Sequence, residues 1–223
     1  MIQHPSEQVQ QKFLVVDDHE AILQGTIPAL KAKYPEAEIL TAQDAERAQS
    51  LVERYHPELV VLDLSIPQKL HSTANPEVGI QLLKTLMASS PAPNMMVLST
   101  NVKPLVRLKP MINAYEGGFA AMDKSLPIQE MLRFINAALR GSINLPSEVR
   151  SRQEFDRKWI DMLNLKFQLG LTDKAIARRM NVSDRTVRNY WIRLQDTLGV
   201  YDEPDKELRV QIELEARKIG LIN

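Results

Sequence analysis

Cysteine is absent from this chain, which excludes a disulfide framework and a thiolate-ligated zinc site. No apolar run approaches the ~20 residues a helix needs to cross a bilayer. The opening stretch, Met1 to Lys12, is polar and has no secretory h-region, so a cytoplasmic protein is expected. Internal repeats and low-complexity tracts are missing too. So is net charge: 28 Lys and Arg balance 28 Asp and Glu. That balance hides an asymmetry, a net of −2 up to residue 140 and +2 beyond it. What is present is ordinary core-forming material. With 223 residues, 44% of them hydrophobic and 25% charged, the chain suits one large or two modest domains.

Five short apolar or strand-like runs alternate with helix-like segments over the first two-thirds: Phe13–Val16, Glu38–Thr41, Leu59–Leu62, Met95–Leu98 and Phe119–Met122. The last is the weakest, because Ala120-Ala121 is poor strand material. Ile80, Leu83, Leu86 and Met87 share one helical face, as do Ile128, Met131, Leu132, Ile135 and Leu139. Such alternation predicts βαβ units with right-handed crossovers, hence an α/β domain with a doubly wound, five-stranded parallel sheet. Leu139-Arg140-Gly141 reads as a helix end with Gly at C′. Pro146-Ser147-Glu148 reads as a new helix start, and no Gly or Pro follows until Gly170. The expected division is a first domain over 10–141, a partly helical linker over 142–154, and an all-α domain over 155–223.

Three of the runs end in acidic or hydroxyl residues. Asp17-Asp18 follows the first, Asp63 the third and Ser99-Thr100 the fourth, while Lys124 comes just after the fifth. In a parallel α/β sheet the carboxyl ends of neighbouring strands open onto one crevice. Each feature alone has an ordinary explanation: an acidic pair capping a helix, an aspartate forming a turn, a solvated lysine. Together they describe a site. Clustered carboxylates repel, and a bound cation relieves them. Mg²⁺ takes oxygen ligands and keeps several waters, so Asp17, Asp18, Asp63 and the backbone carbonyl of Ser65 would suit it. An aspartate can act as nucleophile and form an aspartyl-phosphate. Mg²⁺ and the Lys124 ammonium would neutralise the incoming charge, and the Ser99 hydroxyl, or alternatively Thr100, would bond a new phosphoryl oxygen.

On Val15-Val16-Asp17-Asp18-His19, Val61-Leu62-Asp63-Leu64-Ser65-Ile66-Pro67, Val97-Leu98-Ser99 and Lys124, residues 12 to about 140 resemble a receiver domain of a two-component response regulator. The resemblance implies a five-stranded flavodoxin-like fold, Mg²⁺-dependent phosphorylation of Asp63, and a partner histidine kinase. Three departures stand out. Gln68 to Val78 is longer than the usual loop beside the phosphorylation site. Lys103–Gly117 carries Pro104 and Pro110, which predicts a short, kinked or displaced fourth helix. Ala121 stands where many receivers carry a switching Tyr or Phe. Pro28 also falls inside the first helix and predicts a bend.

A second constellation runs from Leu171 to Leu194. Thr172 and Ser183 sit where N-caps belong. Ala175, Ile176, Met180, Val182, Val187, Trp191 and Leu194 fit the inner faces of two helices joined by a tight turn. Arg185, Thr186, Arg188, Asn189 and Arg193 lie on the second helix, the arginines and Asn189 mostly on its outer face. This is helix-turn-helix logic, with Arg bridging guanine and Asn bridging adenine in the major groove. Lys174, Arg178 and Arg179 would meet phosphates. Tyr190 and Trp191 read as packing residues. The stretch from Ile176 through Asn189 to Leu198-Gly199-Val200 resembles the LuxR-type module of NarL/FixJ regulators. The usual Leu-Thr-x-Arg-Glu opening is missing around Gln153–Ile160. An acidic insertion, Tyr201 to Asp205, precedes the final helix, Lys206–Ile219, which in such modules often makes the dimer contact.

The expected function is a phosphorylation-controlled transcription regulator, not an enzyme, that binds promoter DNA as a homodimer and has no membrane association. Two alternatives stay open. One is an atypical regulator that needs no phosphorylation and binds DNA or a protein partner. The other is a Mg²⁺-dependent phosphatase with an aspartate nucleophile, a class that places Asp-x-Asp after its first strand, whereas Val16 stands two residues before Asp18 here.

Overall fold

The computed structural model describes residues 10–150 and 155–222. The chain divides into two units: one takes in the chain up to Val102 together with Met111–Pro146, the other Lys103–Pro110 together with Ser147–Asn223.

The first unit is a parallel sheet flanked by helices. Its strands are β1 (Lys12–Val16), β2 (Glu38–Ala42), β3 (Leu59–Leu62), β4 (Asn94–Ser99), β5 (Phe119–Asp123) and β6 (Ile143–Asn144), in the order β2-β1-β3-β4-β5-β6. The helices are α1 (Glu20–Lys33), α2 (Ala45–Tyr55), α3 (Pro76–Met87), α4 (Lys109–Asn113) and α5 (Ile128–Leu139); the first two residues of α4, Lys109 and Pro110, are counted with the second unit. All five expected strands form, β5 among them. The sheet has six strands rather than five, because Ile143–Asn144 pairs with Phe119–Ala120 just past Gly141. Two residues carry no readable period, so this strand follows from its neighbour alone.

Both faces of the sheet are covered, as parallel sheets require. Phe13, Val15, Leu59, Val61, Met96, Leu98, Ala120 and Met122 form one buried cluster with Leu23 and Leu30 of α1 and Met131, Ile135 and Ala138 of α5. Their alternate neighbours Leu14, Val16, Val60, Leu62, Met95, Val97, Phe119 and Ala121 point to the opposite face by strand periodicity and are equally buried. Ile128, expected on the inner face of α5, is 36% exposed at its first turn. Helix α1 runs through Pro28 from Glu20 to Lys33. The fourth helix is short, as Pro104 and Pro110 require: a 3₁₀ turn over Lys103–Leu108 precedes α4. Gly141 has φ 76° and its N–H bonds Ala138 O at 2.8 Å, which closes α5 with a left-handed residue.

The second unit contains α6 (Ser147–Arg150), α7 (Arg157–Phe167), α8 (Asp173–Arg179), α9 (Asp184–Leu198) and α10 (Leu208–Lys218). Thr172 accepts from the Ala175 N–H and Ser183 from the Thr186 N–H, so both expected caps form. Ile176, Ala177, Val187, Trp191 and Leu194 are buried with Ile160, Met162 and Leu163 of α7, Ile212 and Ala216 of α10, and Val106. Ala175, Met180 and Val182 are only half-buried. Trp191 sits against Phe167 edge to face and bonds Asp173 through Nε1, while the Arg209 guanidinium lies 3.6 Å over its ring.

Two glycines test the packing. A Cβ at Gly79 would lie 2.1 Å from the backbone oxygen of Leu64, whereas Gly25, exposed on α1, has nothing within 4 Å of its would-be Cβ. Urea unfolding should show Gly79→Ala losing about 3 kcal/mol through overpacking, while Gly25→Ala gains about 0.5–1 kcal/mol from helix propensity. Ser183→Ala should cost about 1 kcal/mol by the same measurement.

Candidate functional site

Sheet register brings the acidic residues together. Val16 pairs with Leu62, so Asp17 and Asp63 leave adjacent strands side by side, and the Asp63 N–H bonds Val16 O at 2.9 Å. Leu62 pairs with Val97, and Ser99 with Asp123. The Lys124 N–H bonds Ser99 O at 3.1 Å, so the lysine enters from the far side of β4.

Its ammonium reaches the carboxylates directly. Lys124 Nζ donates to Asp17 Oδ2 at 2.6 Å and to Asp63 Oδ2 at 2.8 Å, with all three side chains buried. Burial pulls the lysine pKa down, but hydrogen bonds and charge from Asp17 and Asp63 outweigh it, and the net shift is upward. Asp63 Oδ1 accepts from the Ser65 N–H at 3.2 Å, and Asp17 Oδ1 from the His19 N–H at 2.9 Å. The remaining acid is less well provided for. Asp18 Oδ1 is buried and has no hydrogen-bond partner. Oxygens of Asp17, Asp18 and Asp63 and a ring nitrogen of His19 all lie within 4.8 Å of one another, a group that could hold a metal ion. Three carboxylates with one orphaned oxygen form the hard oxygen set that suits Mg²⁺.

Ser99 and Thr100 lie on either side of the end of β4, Ser99 its last residue and Thr100 just past it. Ser99 is buried, its hydroxyl near the Asn101 N–H at 3.5 Å, whereas Thr100 is exposed. Ala121 is buried, so the β5 position carries no ring that could swing. The long loop after Pro67 is held at its base: Asn75 pairs with Ile66, and the Ala45 N–H bonds Pro67 O at 3.0 Å.

On the helix pair, Lys174, Arg178, Arg179, Arg185, Arg188, Asn189 and Arg193 are all exposed. Thr186 differs. It is half-buried, and its hydroxyl is 2.9 Å from that of Ser183, inside the cap of α9. Two residues matter that the sequence reading assigned no role. His19 is placed by the chain next to Asp18, which was the available signal. Arg209, with its stack on Trp191 and its 3.4 Å pair to Asp173, gave none.

Residues 13–134 match the response regulator receiver domain. The chain belongs to that family. Among curated proteins it is similar to the DNA-binding transcriptional activator DevR/DosR of Mycobacterium tuberculosis, 25% identical, over 85% of this chain and 88% of that one. It is also similar to the transcriptional regulatory protein DegU of Brevibacillus brevis, 23% identical, over 95% and 94%. Among solved structures, RcsB of Salmonella enterica serovar Typhimurium bound to promoter DNA matches 93% of this chain and 98% of its own, at 19% identity and TM-score 0.53. The likeness therefore runs past the receiver into the C-terminal helices. No helix among the described residues is long and apolar enough to cross a membrane.

The raised Lys124 pKa has a sign that can be tested. Its contribution is present below the ordinary lysine value of 10.5 and is lost as pH rises through the higher folded value. Lys124→Met should lower stability by about 3 kcal/mol at pH 7–9 by leaving two buried carboxylates uncompensated. The gap between the two proteins in urea unfolding should narrow as pH rises beyond 10.5, as the ammonium is lost.

Proposed function

We propose that this protein is a response regulator of the NarL/FixJ type, a phosphorylation-controlled transcription regulator rather than an enzyme, working in the cytoplasm. Its parts are a receiver over 10–141, a linker over 142–154 and a helix-turn-helix domain over 155–223. Asp63 is the phosphoacceptor. Asp17, Asp18, Asp63 and the Ser65 carbonyl would hold Mg²⁺, which would supply positive charge against the phosphoryl group. Lys124 supplies the second positive charge, and Ser99, the buried hydroxyl, bonds the phosphoryl oxygen; Thr100, being exposed, is the poorer candidate. A histidine kinase is the donor.

The observation that carries this reading is the convergence of Lys124 on Asp17 and Asp63 beside an unsatisfied Asp18 oxygen. With phosphate on Asp63, the Lys124 ammonium is drawn off the carboxylate and onto the new oxygens. The bonds it makes to Asp17 and through β4 to Ser99 then change, and a two-state equilibrium shifts. With no ring at Ala121, that shift passes through backbone and helix movement.

The output is double-stranded promoter DNA, bound as a homodimer. Arg185, Arg188, Asn189 and Arg193 face the major groove, Lys174, Arg178 and Arg179 meet phosphates, and Thr186 serves the cap of α9 rather than a base. The names of the relatives and the DNA-bound state of the structural neighbours support this part. The paired half-sites would lie one DNA turn apart, ~34–36 Å.

A small phosphodonor with Mg²⁺ should label the intact chain and leave Asp63→Asn unlabelled; equal labelling of both would overturn the assignment. Arg188→Ala should weaken binding to a selected DNA site by about 1–3 kcal/mol and relax its sequence preference, whereas Lys174→Ala should weaken all sequences alike and lower the salt dependence. Indifference of DNA binding to Arg188 and Asn189 together would remove α9 from the groove.

A further inference from the structure

His19 stands at the N-cap position of α1, where a side chain normally accepts a hydrogen bond from the first turn; it makes no such bond. Its ring is turned instead toward the acidic pair. Nδ1 lies 2.8 Å from Asp18 Oδ1 and 3.1 Å from Asp17 Oδ1. One ring nitrogen carries at most one proton, so it can satisfy only one of those two oxygens. The approach to Asp18 is close but lacks hydrogen-bond geometry, and Asp18 Oδ1 is the orphaned oxygen of the site. Asp17 presents its other oxygen to Lys124, so the histidine side and the lysine side of the cluster are distinct.

These separations have a simple chemical meaning. Ligand atoms on one octahedral ion, with bonds of ~2.0–2.2 Å, sit ~3.0 Å apart when adjacent and ~4.2 Å apart when opposite. The two His19 contacts fall at the adjacent spacing. The whole group, including Asp63, spans no more than 4.8 Å, which a bound ion would tighten slightly. The His19 side chain is 61% exposed, so the ring stands at the mouth of the site rather than inside the core.

We propose that His19 is a metal ligand through Nδ1, and that it biases the site toward a first-row divalent transition ion over Mg²⁺; this rests on the acidic group being a cation site at all. Three carboxylates alone form an oxygen set on which Mg²⁺ competes well. An imidazole nitrogen changes that, because Mg²⁺ gains little from nitrogen, whereas affinity for mixed N/O sites rises from Mn²⁺ through Fe²⁺, Co²⁺ and Ni²⁺. The Nε2–H tautomer leaves the Nδ1 lone pair available to bind.

The test uses the full, untagged chain, with Mn²⁺ and Mg²⁺ as separate probes in titration calorimetry and Mn²⁺ read by electron spin-echo modulation from ¹⁴N. Wild type should bind Mn²⁺ more than ~10-fold tighter than Mg²⁺ and show ¹⁴N modulation. His19→Ala should lose the modulation and ~10-fold in Mn²⁺ affinity, with Mg²⁺ affinity held within ~2-fold. Asp18→Asn should weaken both ions. Bound Mn²⁺ without ¹⁴N modulation, or a His19→Ala chain that loses both ions equally, would overturn the role of His19 while leaving the acidic site intact. Failure of wild type to bind either ion would sink the cation site itself, and His19 with it. Far-UV circular dichroism of the two variants keeps a folding defect from passing as a binding one.

Discussion

A single ammonium group between two aspartates organises this receiver. Asp17 and Asp63 come from strands 46 positions apart in the chain, and register sets them side by side. Two buried carboxylates at that spacing would not both stay ionised unaided. Lys124 makes them compatible, and does so from the end of β5, on the other side of β4. The three strand ends that build the site are therefore bound by charge as well as by sheet hydrogen bonds. Any change in the charge on Asp63 must alter what Lys124 holds, and that reaches β1 and β4 at once.

The second unit uses the same kind of economy with different chemistry. Trp191, on the inner face of α9, is bonded by Asp173 of α8 and covered by Arg209 of α10. Burial pulls the Arg209 pKa below its ordinary value and Asp173 acts against that, though the guanidinium stays charged at any physiological pH. One indole thus joins three helices. The basic residues of α9, Arg185, Arg188 and Arg193, are exposed and accessible to solvent or a polyanion.

Much of this was legible in the chain. Apolar runs ended by Asp, Ser or Lys placed the five main strands and the crevice at their ends, because a parallel strand buried on both faces must read as a continuous apolar run. The caps at Thr172 and Ser183 were legible for a local reason: a hydroxyl ahead of an apolar-periodic stretch has one favoured use. What escaped depends on where an element ends or on distant partners. Ser99 ends β4 buried and Thr100, one residue past the strand, is exposed, a boundary that two adjacent hydroxyl residues do not mark. Thr186 looked like a surface residue until its hydroxyl met Ser183. The pairing of Ile143–Asn144 depends on a neighbour already in place, and the membership of Lys103–Pro110 in the second unit depends on tertiary packing that local pattern does not encode.

The clasp of Arg209 on Trp191 has a geometric consequence. Leu214 and Val210 stand exposed on α10, 63% and 45%. Because α10 is fastened to α9 through the indole, two molecules joined along α10 would behave like the arms of a caliper with a locked hinge. The opening between the two basic helices would then be set by the angle at which the tail helices cross, and a DNA site of the kind proposed above would have to fit that gauge.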